Sequence, residues 1–383
     1  MINGLKYCTK CVMPETVEDQ NFDKDGLCRT CQSQSQKKSI DWDKREIALR
    51  KILTEAKSKS GNNYDCIVPI SGGKDSMYQL HVIVKEYGMK PLAVTFNHGW
   101  FSETGWYNLQ NALEKMDIDH VMFTPSRSLV NRIAKRSLGT LGDVCWHCHM
   151  GVSAYTLRMA VAYKIPLLIW GESTAEHGRA TYEKPDKFDR NYFLRVSAKL
   201  TPEQFACEYL TLKDLFPFVT PSVEECEELG LNGIHLGDYI PWDTEKQVEF
   251  VKAEYNWKGT EIEGAYKDYK SAECSMAGMH DFTCYCKRGY GRASIQLSGD
   301  IRDKLLELDA DWYAMLETEQ MRPKSLDYYL EITGMSEMEF YETLSKLKHP
   351  ALEGKHVPII KDTRQVPEAG KPYVERFLEG ENI

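Results

Sequence analysis

Short apolar runs alternate with longer segments of helical patterning through the middle of the chain. Four of these runs lie at Cys66–Ile70, Pro91–Phe96, His120–Thr124 and Pro166–Trp170, and a fifth follows at Gly233–Leu236. Continuous apolar runs of this length between helical segments are typical of strands that are buried on both faces of a parallel sheet. The pattern therefore predicts an α/β fold built from βαβ units.

The segments on either side of this alternation follow other patterns. The first residues are turn-rich and end in the polar run Ser33–Lys38, which we interpret as a linker. Apolar residues at helical spacing over Asp41–Lys57 then predict a connecting helix. Past Asp243 the pattern becomes helical, with capping-box spacings at Thr244-x-x-Gln247 and Ser336-x-x-Glu339.

These changes of pattern predict three parts of the chain. We expect a small N-terminal module over residues 1–38, an α/β domain over residues 39–242, and a helical C-terminal appendage over residues 243–383.

Composition narrows the classes of function. The chain has 383 residues, of which 42% are hydrophobic and 27% charged, as in an ordinary globular protein. Its formal net charge of −9 argues against general electrostatic binding of nucleic acid or of an anionic membrane surface. The longest aliphatic stretch, Ile165–Trp170, is too short to span a membrane, and the first residues carry no secretory apolar region. We therefore expect a cytoplasmic protein with no membrane partner.

Two cysteine pairs near the start of the chain have the spacing of a zinc site. Cys8-x2-Cys11 and Cys28-x2-Cys31 are separated by sixteen residues, and each pair can supply two corners of a tetrahedron. A site with four thiolate ligands is closed, so the zinc would be structural. The alternative is two unrelated pairs of thiols.

A glycine-rich string follows the first strand and precedes a helical stretch. Its six residues are Ser71, Gly72, Gly73, Lys74, Asp75 and Ser76. The two glycines let backbone N–H groups approach an anion, and the helix that follows points its positive end at that anion. Lys74 and the serine hydroxyls would complete a phosphate site, but the Walker A pattern of phosphoryl-transfer ATPases is absent.

The string resembles the pyrophosphate loop of the PP-loop ATP pyrophosphatases, which have an adenine nucleotide alpha hydrolase-like fold. The resemblance implies that ATP adenylylates a carbonyl oxygen and that pyrophosphate leaves, with Lys74 in the loop and Asp75 placing Mg²⁺. It also implies roles for two later strand ends. Phe96-Asn-His-Gly99 and Gly171-Glu-Ser173 would hold the nucleotide and the reacting centre, through Asn97, His98, Gly171 and Glu172.

Further motifs resemble the N-acetyl sugar amidotransferases of bacterial surface-polysaccharide and lipopolysaccharide O-antigen synthesis. The similarity runs from about residue 5 to about residue 345, and it includes Tyr7–Pro14, Cys145–His149, Tyr239–Asp243 and Lys287–Ala293. It implies conversion of a sugar acetamido group to an acetamidino group, on a free sugar or a nucleotide sugar.

The source of ammonia is inferred from an absence in the sequence. Position 2 is Ile2, and no Gly-x-Cys-x-Gly string occurs, so neither form of built-in glutaminase nucleophile is present. The resemblance implies a separate glutaminase with an ammonia-channelling subunit, like those of histidine biosynthesis.

The remaining candidate residues are left with open alternatives. Cys145-x2-Cys148 resembles a pair that holds an iron–sulfur cluster in PP-loop tRNA thiolases, which implies a third cluster ligand from Cys274, Cys284 or Cys286; a second zinc and no metal are the alternatives. Arg292, with its basic neighbours Lys287 and Arg288, could bind a diphosphate or the departing pyrophosphate. His280 could accept a proton during ammonia addition, or it could be structural.

Two rival functions are kept beside the amidotransferase. A PP-loop tRNA-modifying enzyme of the thiolation type would activate a base carbonyl, but the acidic charge and the lack of a basic, aromatic-rich patch argue against nucleic acid. A zinc-ribbon interaction scaffold with a vestigial loop is disfavoured by the intact Ser71–Ser76 string.

Overall fold

A computed structural model describes residues 1–18, 21–177, 180–185, 188–307, 312–361 and 372. Within these residues the chain forms a five-stranded, fully parallel sheet with the order β3-β2-β1-β4-β5. The strands are β1 (Cys66–Pro69), β2 (Pro91–Phe96), β3 (His120–Phe123), β4 (Leu167–Trp170) and β5 (Asn232–His235). Each lies within one residue of its predicted bounds at both ends, which confirms the predicted α/β parallel-sheet fold.

Helices connect and cover these strands. Before and between the strands lie α1 (Arg29–Lys37), α2 (Trp42–Ser60), α3 (Lys74–His81, continued by a π-helical segment Val82–Glu86), α4 (Glu103–Met116), α5 (Arg127–Leu141), α6 (Trp146–Tyr163), α7 (Pro202–Phe205) and α8 (Val223–Leu229). After β5 follow α9 (Thr244–Tyr255), α10 (Ala277–Arg288), α11 (Arg292–Asp303), α12 (Trp312–Glu317), α13 (Ser325–Thr333) and α14 (Glu337–Ser345).

The order in which the strands are added to the sheet reverses at β1: β2 and β3 lie on one side of it, and β4 and β5 lie on the other. β1 pairs with β2 on one side, with Cys66 opposite Pro91, and with β4 on the other, with Ile67 opposite Leu168. Because β2 and β4 leave β1 on opposite sides, a crevice opens at the carboxyl ends of β1 and β4, where open α/β sheets bind ligands. The glycine-rich string stands at this crevice.

The C-terminal helices complete the hydrophobic core of the sheet. Val248, Val251 and Trp257 belong to one buried cluster with Val68 of β1 and Ala93 of β2. The region that the sequence predicted as an appendage is thus part of the packing around β1 and β2, and it can place residues at the crevice.

Two local predictions were wrong. The expected linker Ser33–Lys38 lies almost entirely in α1, which begins after Cys28, whose sulfur accepts a hydrogen bond from the backbone of Cys31. A helix this polar has no apolar stripe for periodicity to reveal. Thr244 does not cap α9, because the Asp243 carboxylate accepts from the backbone of Lys246 instead.

The other predicted helix signals are confirmed. The connecting helix occurs as α2, which is capped by the carboxylate of Asp41. Ser336 and Glu339 form the predicted capping box of α14, and Gly334, in the left-handed region, ends α13.

Candidate active site

The Ser71–Ser76 loop is held in shape by contacts from three parts of the chain. Gly72 has φ of +80°, and a Cβ there would lie 2.5 Å from the carbonyl oxygen of Gly105, so only glycine fits. Within the loop, the Ser76 hydroxyl donates to the carbonyl of Gly73 over 2.9 Å. From the C-terminal region, the Trp257 indole donates to the carbonyl of Gly72 over 2.9 Å.

Lys74 is a buried cation at the start of α3. Its side chain is 1% exposed, and its Nζ lies 2.5 Å from a carboxylate oxygen of Asp75. Burial lowers the pKa of Lys74, against the opposing charges of Asp75 and Glu172. A buried ammonium of this kind is costly unless an anion balances it. The loop therefore has the charge and the backbone geometry to bind a phosphate group at the end of β1.

A cavity of about 380 Å³ opens beside the loop at the carboxyl ends of β1, β2 and β4; we call it the first cavity. Six predicted site residues line it, and they come from four separate parts of the chain. They are Ser71, His98, Cys145, Cys148, His280 and Arg292. The other lining residues include Phe96, Trp100, Thr156 and Trp170, together with the 271–277 segment. The aromatic and apolar side chains are of the kind that surround a bound base.

Asn97 and Gly171 are near this site without being among the residues that line the first cavity. The Asn97 amide donates to the Thr124 hydroxyl and its oxygen accepts from the backbone of Gly99, so it fixes the turn after β2. A Cβ on Gly171 would lie 3.1 Å from both Gln79 and Trp242. Both residues therefore shape the strand ends rather than face the cavity.

His280 is oriented by an acidic neighbour. Its Nδ1 lies 3.1 Å from Asp281, and Asp281 binds the Arg292 guanidinium through both carboxylate oxygens, at 2.6 and 3.0 Å. Burial lowers the pKa of His280, but the hydrogen bond to Asp281 and the charges of Asp281 and Asp143 outweigh it, so the net shift is upward. Held in this way at the edge of the first cavity, His280 is placed to exchange a proton with a bound group.

His98 has the opposite character. Burial lowers its pKa to about 3, its Nδ1 accepts from the backbone of Trp100, and its ring stacks on Phe101 at 4.7 Å. His98 is thus a neutral wall of the first cavity rather than a proton carrier.

Three cysteines line the first cavity, Cys145, Cys148 and Cys274. Of the three candidates for a third ligand, Cys274 lines this cavity together with the Cys145-x2-Cys148 pair, whereas Cys284 lines a different cavity and Cys286 lines neither. Burial raises the pKa of Cys148 to about 12 and raises those of Cys145 and Cys274 as well. The protonated thiols are the stable form in the structure as it stands.

Sequence reasoning missed the part that the 257–274 segment plays. Trp257 holds the loop, the Tyr269 ring lies 5.8 Å from the Lys74 ammonium, and the Glu273 carboxylate lies within 3.3 Å of a Cβ built on Gly73. These residues lie in turns between α9 and α10, and turns have no repeating hydrophobic pattern from which their position could be predicted. Only the long-range packing of that segment against α3 and α4 brings them to the loop.

The four N-terminal cysteines form one compact group. All four sulfurs lie within 4.8 Å of one another and all four residues are buried. Among the described residues this is the one such group of three or more potential ligands. Arg302 of α11 lies next to the sulfurs, and their charge raises its pKa despite its burial. Four thiols at these distances beside a cation fit a tetrahedral zinc with four thiolate ligands.

A larger cavity, of about 640 Å³, adjoins the first one; we call it the second cavity. It is bounded by the cysteine module, by the loop before α6, by the 196–199 segment, and by α10 and α11. The two cavities share two lining residues, His149 and His280, whose ring centroids lie 6.1 Å apart. The imidazoles therefore stand at the junction of the two spaces.

No helix among the described residues has both the length and the apolar character needed to cross a membrane.

Comparison with known proteins finds a family model that is similar to the C-terminal part of the chain. Residues 263–361 match the family model described as LPS biosynthesis protein WbpG-like, C-terminal domain. The matched segment contains His280, Asp281 and Arg292. This match confirms the resemblance to proteins of surface-polysaccharide synthesis.

Two individual proteins are also similar to parts of the chain. The uncharacterized protein MJ1599 of Methanocaldococcus jannaschii is 26% identical over 113 residues, which is 29% of this chain and 40% of that protein. The chain thus spans less than half the length of that relative. The NMN synthetase of Francisella tularensis aligns with 50% of this chain and 91% of its own, at 15% identity and a TM-score of 0.27.

Proposed function

We propose that the protein is an ATP-dependent amidotransferase, which converts the acetamido group of a sugar or nucleotide sugar to an acetamidino group. The observation that carries the proposal is the glycine loop at the end of β1, with the buried Lys74, beside a cavity that His280 and Arg292 line; Asp281 binds both of these side chains. The match of residues 263–361 supports a substrate in polysaccharide synthesis. The acetamidino product rests on the sequence resemblance.

The chemistry explains why ATP is needed. An amide carbon is a poor electrophile, so ammonia does not displace its oxygen unaided. In the proposed reaction the amide oxygen attacks the α-phosphorus of ATP, the α–β anhydride bond breaks, and pyrophosphate leaves. Ammonia then adds to the imidate carbon, and the C–O bond breaks to release AMP, which carries away the original amide oxygen. Protons lost from the nitrogens pass to a base.

The loop residues would stabilise the leaving group. Lys74, the backbone N–H groups at Gly72 and Gly73, and the serine hydroxyls of the loop would bind the pyrophosphate, whose charge grows as the bond breaks. Asp75 would help to place Mg²⁺. Carboxylates are the ligands that Mg²⁺ prefers. For Glu172, at the end of β4, the sequence resemblance implies a role at the reacting centre, but its side chain lines neither cavity.

His280 would be the proton acceptor in the second step. When ammonia adds to the imidate carbon, the nitrogen of the added ammonia becomes strongly acidic, and a nearby base takes up its proton. Asp281 holds the imidazole in place through Nδ1, which leaves Nε2 for the reacting nitrogen. Arg292 on the far side of Asp281 keeps that carboxylate ionised, and the net shift in the pKa of Asp281 is downward.

Ammonia would come from a separate glutaminase and its channelling subunit. Burial raises the pKa of each of Cys145, Cys148 and Cys286, which makes them poor nucleophiles. We expect that glutamine alone does not support amidine formation by this chain, whereas concentrated ammonium does. If this chain alone forms the amidine as fast with glutamine as with ammonium, it must contain a glutaminase nucleophile of its own.

Product analysis tests the proposed reaction. With a UDP-linked diacetamido sugar and ammonium, the nucleotide products should be AMP and pyrophosphate, not ADP and phosphate. Lys74→Ala should lower the rate at least about 100-fold, because a preorganised charge at the leaving group is worth about 3 kcal/mol or more. Lys85→Ala, at an exposed lysine of the segment that continues α3, is the matched control and should keep its activity. ADP formation, or an active Lys74→Ala variant, would refute the mechanism.

One observation favours a second candidate, a tRNA-modifying enzyme of the thiolation type. Cys274 lines the same cavity as Cys145 and Cys148, and three thiols at one place could hold an iron–sulfur cluster. Anaerobic purification would then give a protein with cluster absorbance, and unmodified tRNA would stimulate pyrophosphate release. A colourless protein whose pyrophosphate release depends on the sugar would exclude this candidate.

A further inference from the structure

We propose that the second cavity is the binding site of the sugar substrate, and that the acetamido group enters the first cavity between His149 and His280. The inference rests on the proposed function and gives the binding site of the sugar, which is the second substrate of the proposed reaction beside ATP. It identifies the residues that recognise the sugar and its carrier, as distinct from those that bind ATP.

Position is the first argument. The first cavity contains the loop residue Ser71 and the ends of β1, β2 and β4, so it is the place for ATP. The second cavity is lined by no strand residue among those described, and it meets the first at His149 and His280. A carbonyl oxygen in one space and an α-phosphorus in the other can approach each other only at this junction.

The chemistry of the lining is the second argument. Four hydroxyl-bearing residues line the second cavity, Thr30, Ser197, Thr283 and Tyr290. Four carboxylates also line it, those of Glu18, Asp143, Glu176 and Asp281. Hydroxyls and carboxylates are the groups that pair with sugar hydroxyls. A path for ammonia alone would need neither this polarity nor a volume larger than that of the first cavity.

The distribution of cations is the third argument. Lys199 lies 3.1 Å from Glu18, and Arg288 lies 2.5 Å from the same carboxylate, so one negative charge is shared by two positive ones. The side chains of Lys199 and Glu18 are partly exposed. This end of the cavity has a positive excess that suits the diphosphate of a nucleotide carrier. The sugar would then extend from this end to the histidine junction.

Thiol footprinting tests the assignment independently of turnover. Cys284 lines the second cavity and Cys148 the first, while Cys207 lines neither. Burial raises the pKa of Cys284 to about 11, so alkylation with iodoacetamide at alkaline pH is slow enough to follow by mass spectrometry. A UDP-linked diacetamido sugar at ten times its Kd should slow alkylation of Cys284 by about tenfold, because the rate follows the free fraction.

The matched measurements separate the two sites. ATP with Mg²⁺ should protect Cys148 and leave Cys284 unchanged, and neither ligand should protect Cys207. Failure of the sugar nucleotide to protect Cys284, or protection of Cys148 in its place, would overturn the assignment. Pyrophosphate release is measured in a further mixture that contains both ATP with Mg²⁺ and the sugar nucleotide, in which alkylation of Cys284 is also followed. Release with Cys284 unprotected refutes the second cavity alone, whereas protection without release refutes the adenylylation.

A pair of variants tests the carrier end. Lys199→Gln should raise the KM for the UDP-linked sugar about tenfold and leave the KM for ATP unchanged, because it removes one of the two cations near Glu18. Arg195→Gln removes a cation from the same segment that does not line the cavity and should change neither constant. An equal change in both KM values for Lys199→Gln, or none in either, would contradict the role of this cavity.

Discussion

His280 shows how neighbouring charges set the chemistry of a single residue. His98 and His280 line the same cavity, yet burial holds the pKa of His98 at about 3 while acidic neighbours raise that of His280. Asp281 makes the difference, because its hydrogen bond and charge raise the pKa of His280, whereas the charge of His147 lowers that of His98 further. A sequence shows both histidines but cannot show which of them has a buried anion against it.

The upward shift at His280 gives a pH prediction. At constant free ammonia, kcat should rise as His280 loses its proton, with a midpoint above the ordinary histidine value of 6.5. Asp281→Asn removes the hydrogen bond and the charge of Asp281 that raise the pKa of His280 and leaves only the charge of Asp143, so the midpoint should move to lower pH while kcat also falls. The check is kcat for amidine formation against pH. In His280→Gln this rise of kcat with pH should disappear. If the variant keeps the same rise as the wild type, another residue is the base.

At the scale of the element, the glycine loop contains two adjacent glycines with different requirements. Gly72 has a positive φ and a backbone oxygen 2.5 Å from any added Cβ, whereas the nearest atom to a Cβ on Gly73 is the end of the Glu273 side chain at 3.3 Å. A flexible side chain can move, but the Gly105 carbonyl in α4 cannot.

Alanine at each position should therefore have a different effect on folding. Gly72→Ala should lower the Tm by several degrees, because the left-handed conformation alone costs roughly 1 kcal/mol and the contact with Gly105 adds to it. Gly73→Ala should stay within about 1 kcal/mol of the wild type. Thermal unfolding of both variants measures this. Equal Tm values for the two would show that the loop adopts another conformation.

The strands and the glycine loop could be predicted from the sequence, whereas the tertiary contacts that bring distant segments to the loop could not. The strands could be predicted because each is a continuous apolar run between helical segments, and the loop because its glycines follow such a run. The wall formed by Tyr269, Ser271, Glu273 and Cys274 could not be predicted, because residues about 200 positions from the loop reach it only through tertiary packing. Helix α1 was missed because its polar residues have no apolar stripe.

At the scale of the whole molecule, the cysteine module connects distant parts of the chain. The Thr16 hydroxyl donates to the carbonyl of Arg288 at the end of α10 over 2.5 Å, and Ser298 of α11 donates to the carbonyl of Cys11 over 2.6 Å. Lys37 at the end of α1 binds Glu176 beyond β4. The module thus contacts α10, α11 and the segment that follows β4, and residues from it line the second cavity.

This position predicts the effect of removing the metal. Purified protein should contain about one zinc per chain, and Cys28→Ser should lose it together with the folded module, because metal binding supplies the folding energy of such small sites. Cys207→Ser, which is outside the module, should retain both zinc and solubility. Metal analysis is the measurement, and a fully folded wild-type protein without zinc would refute the assignment of these four cysteines.

The most direct test of the central claim follows the amide oxygen. The account states that the acetamido oxygen attacks the α-phosphorus and leaves with AMP. A UDP-linked sugar with ¹⁸O in its acetamido carbonyl should therefore yield AMP that contains one ¹⁸O, in step with the acetamidino product, and unlabelled pyrophosphate. Mass spectrometry of the AMP and the pyrophosphate decides the matter. Acetamidino sugar formed with unlabelled AMP, or with the label in phosphate or water, would contradict activation by adenylylation.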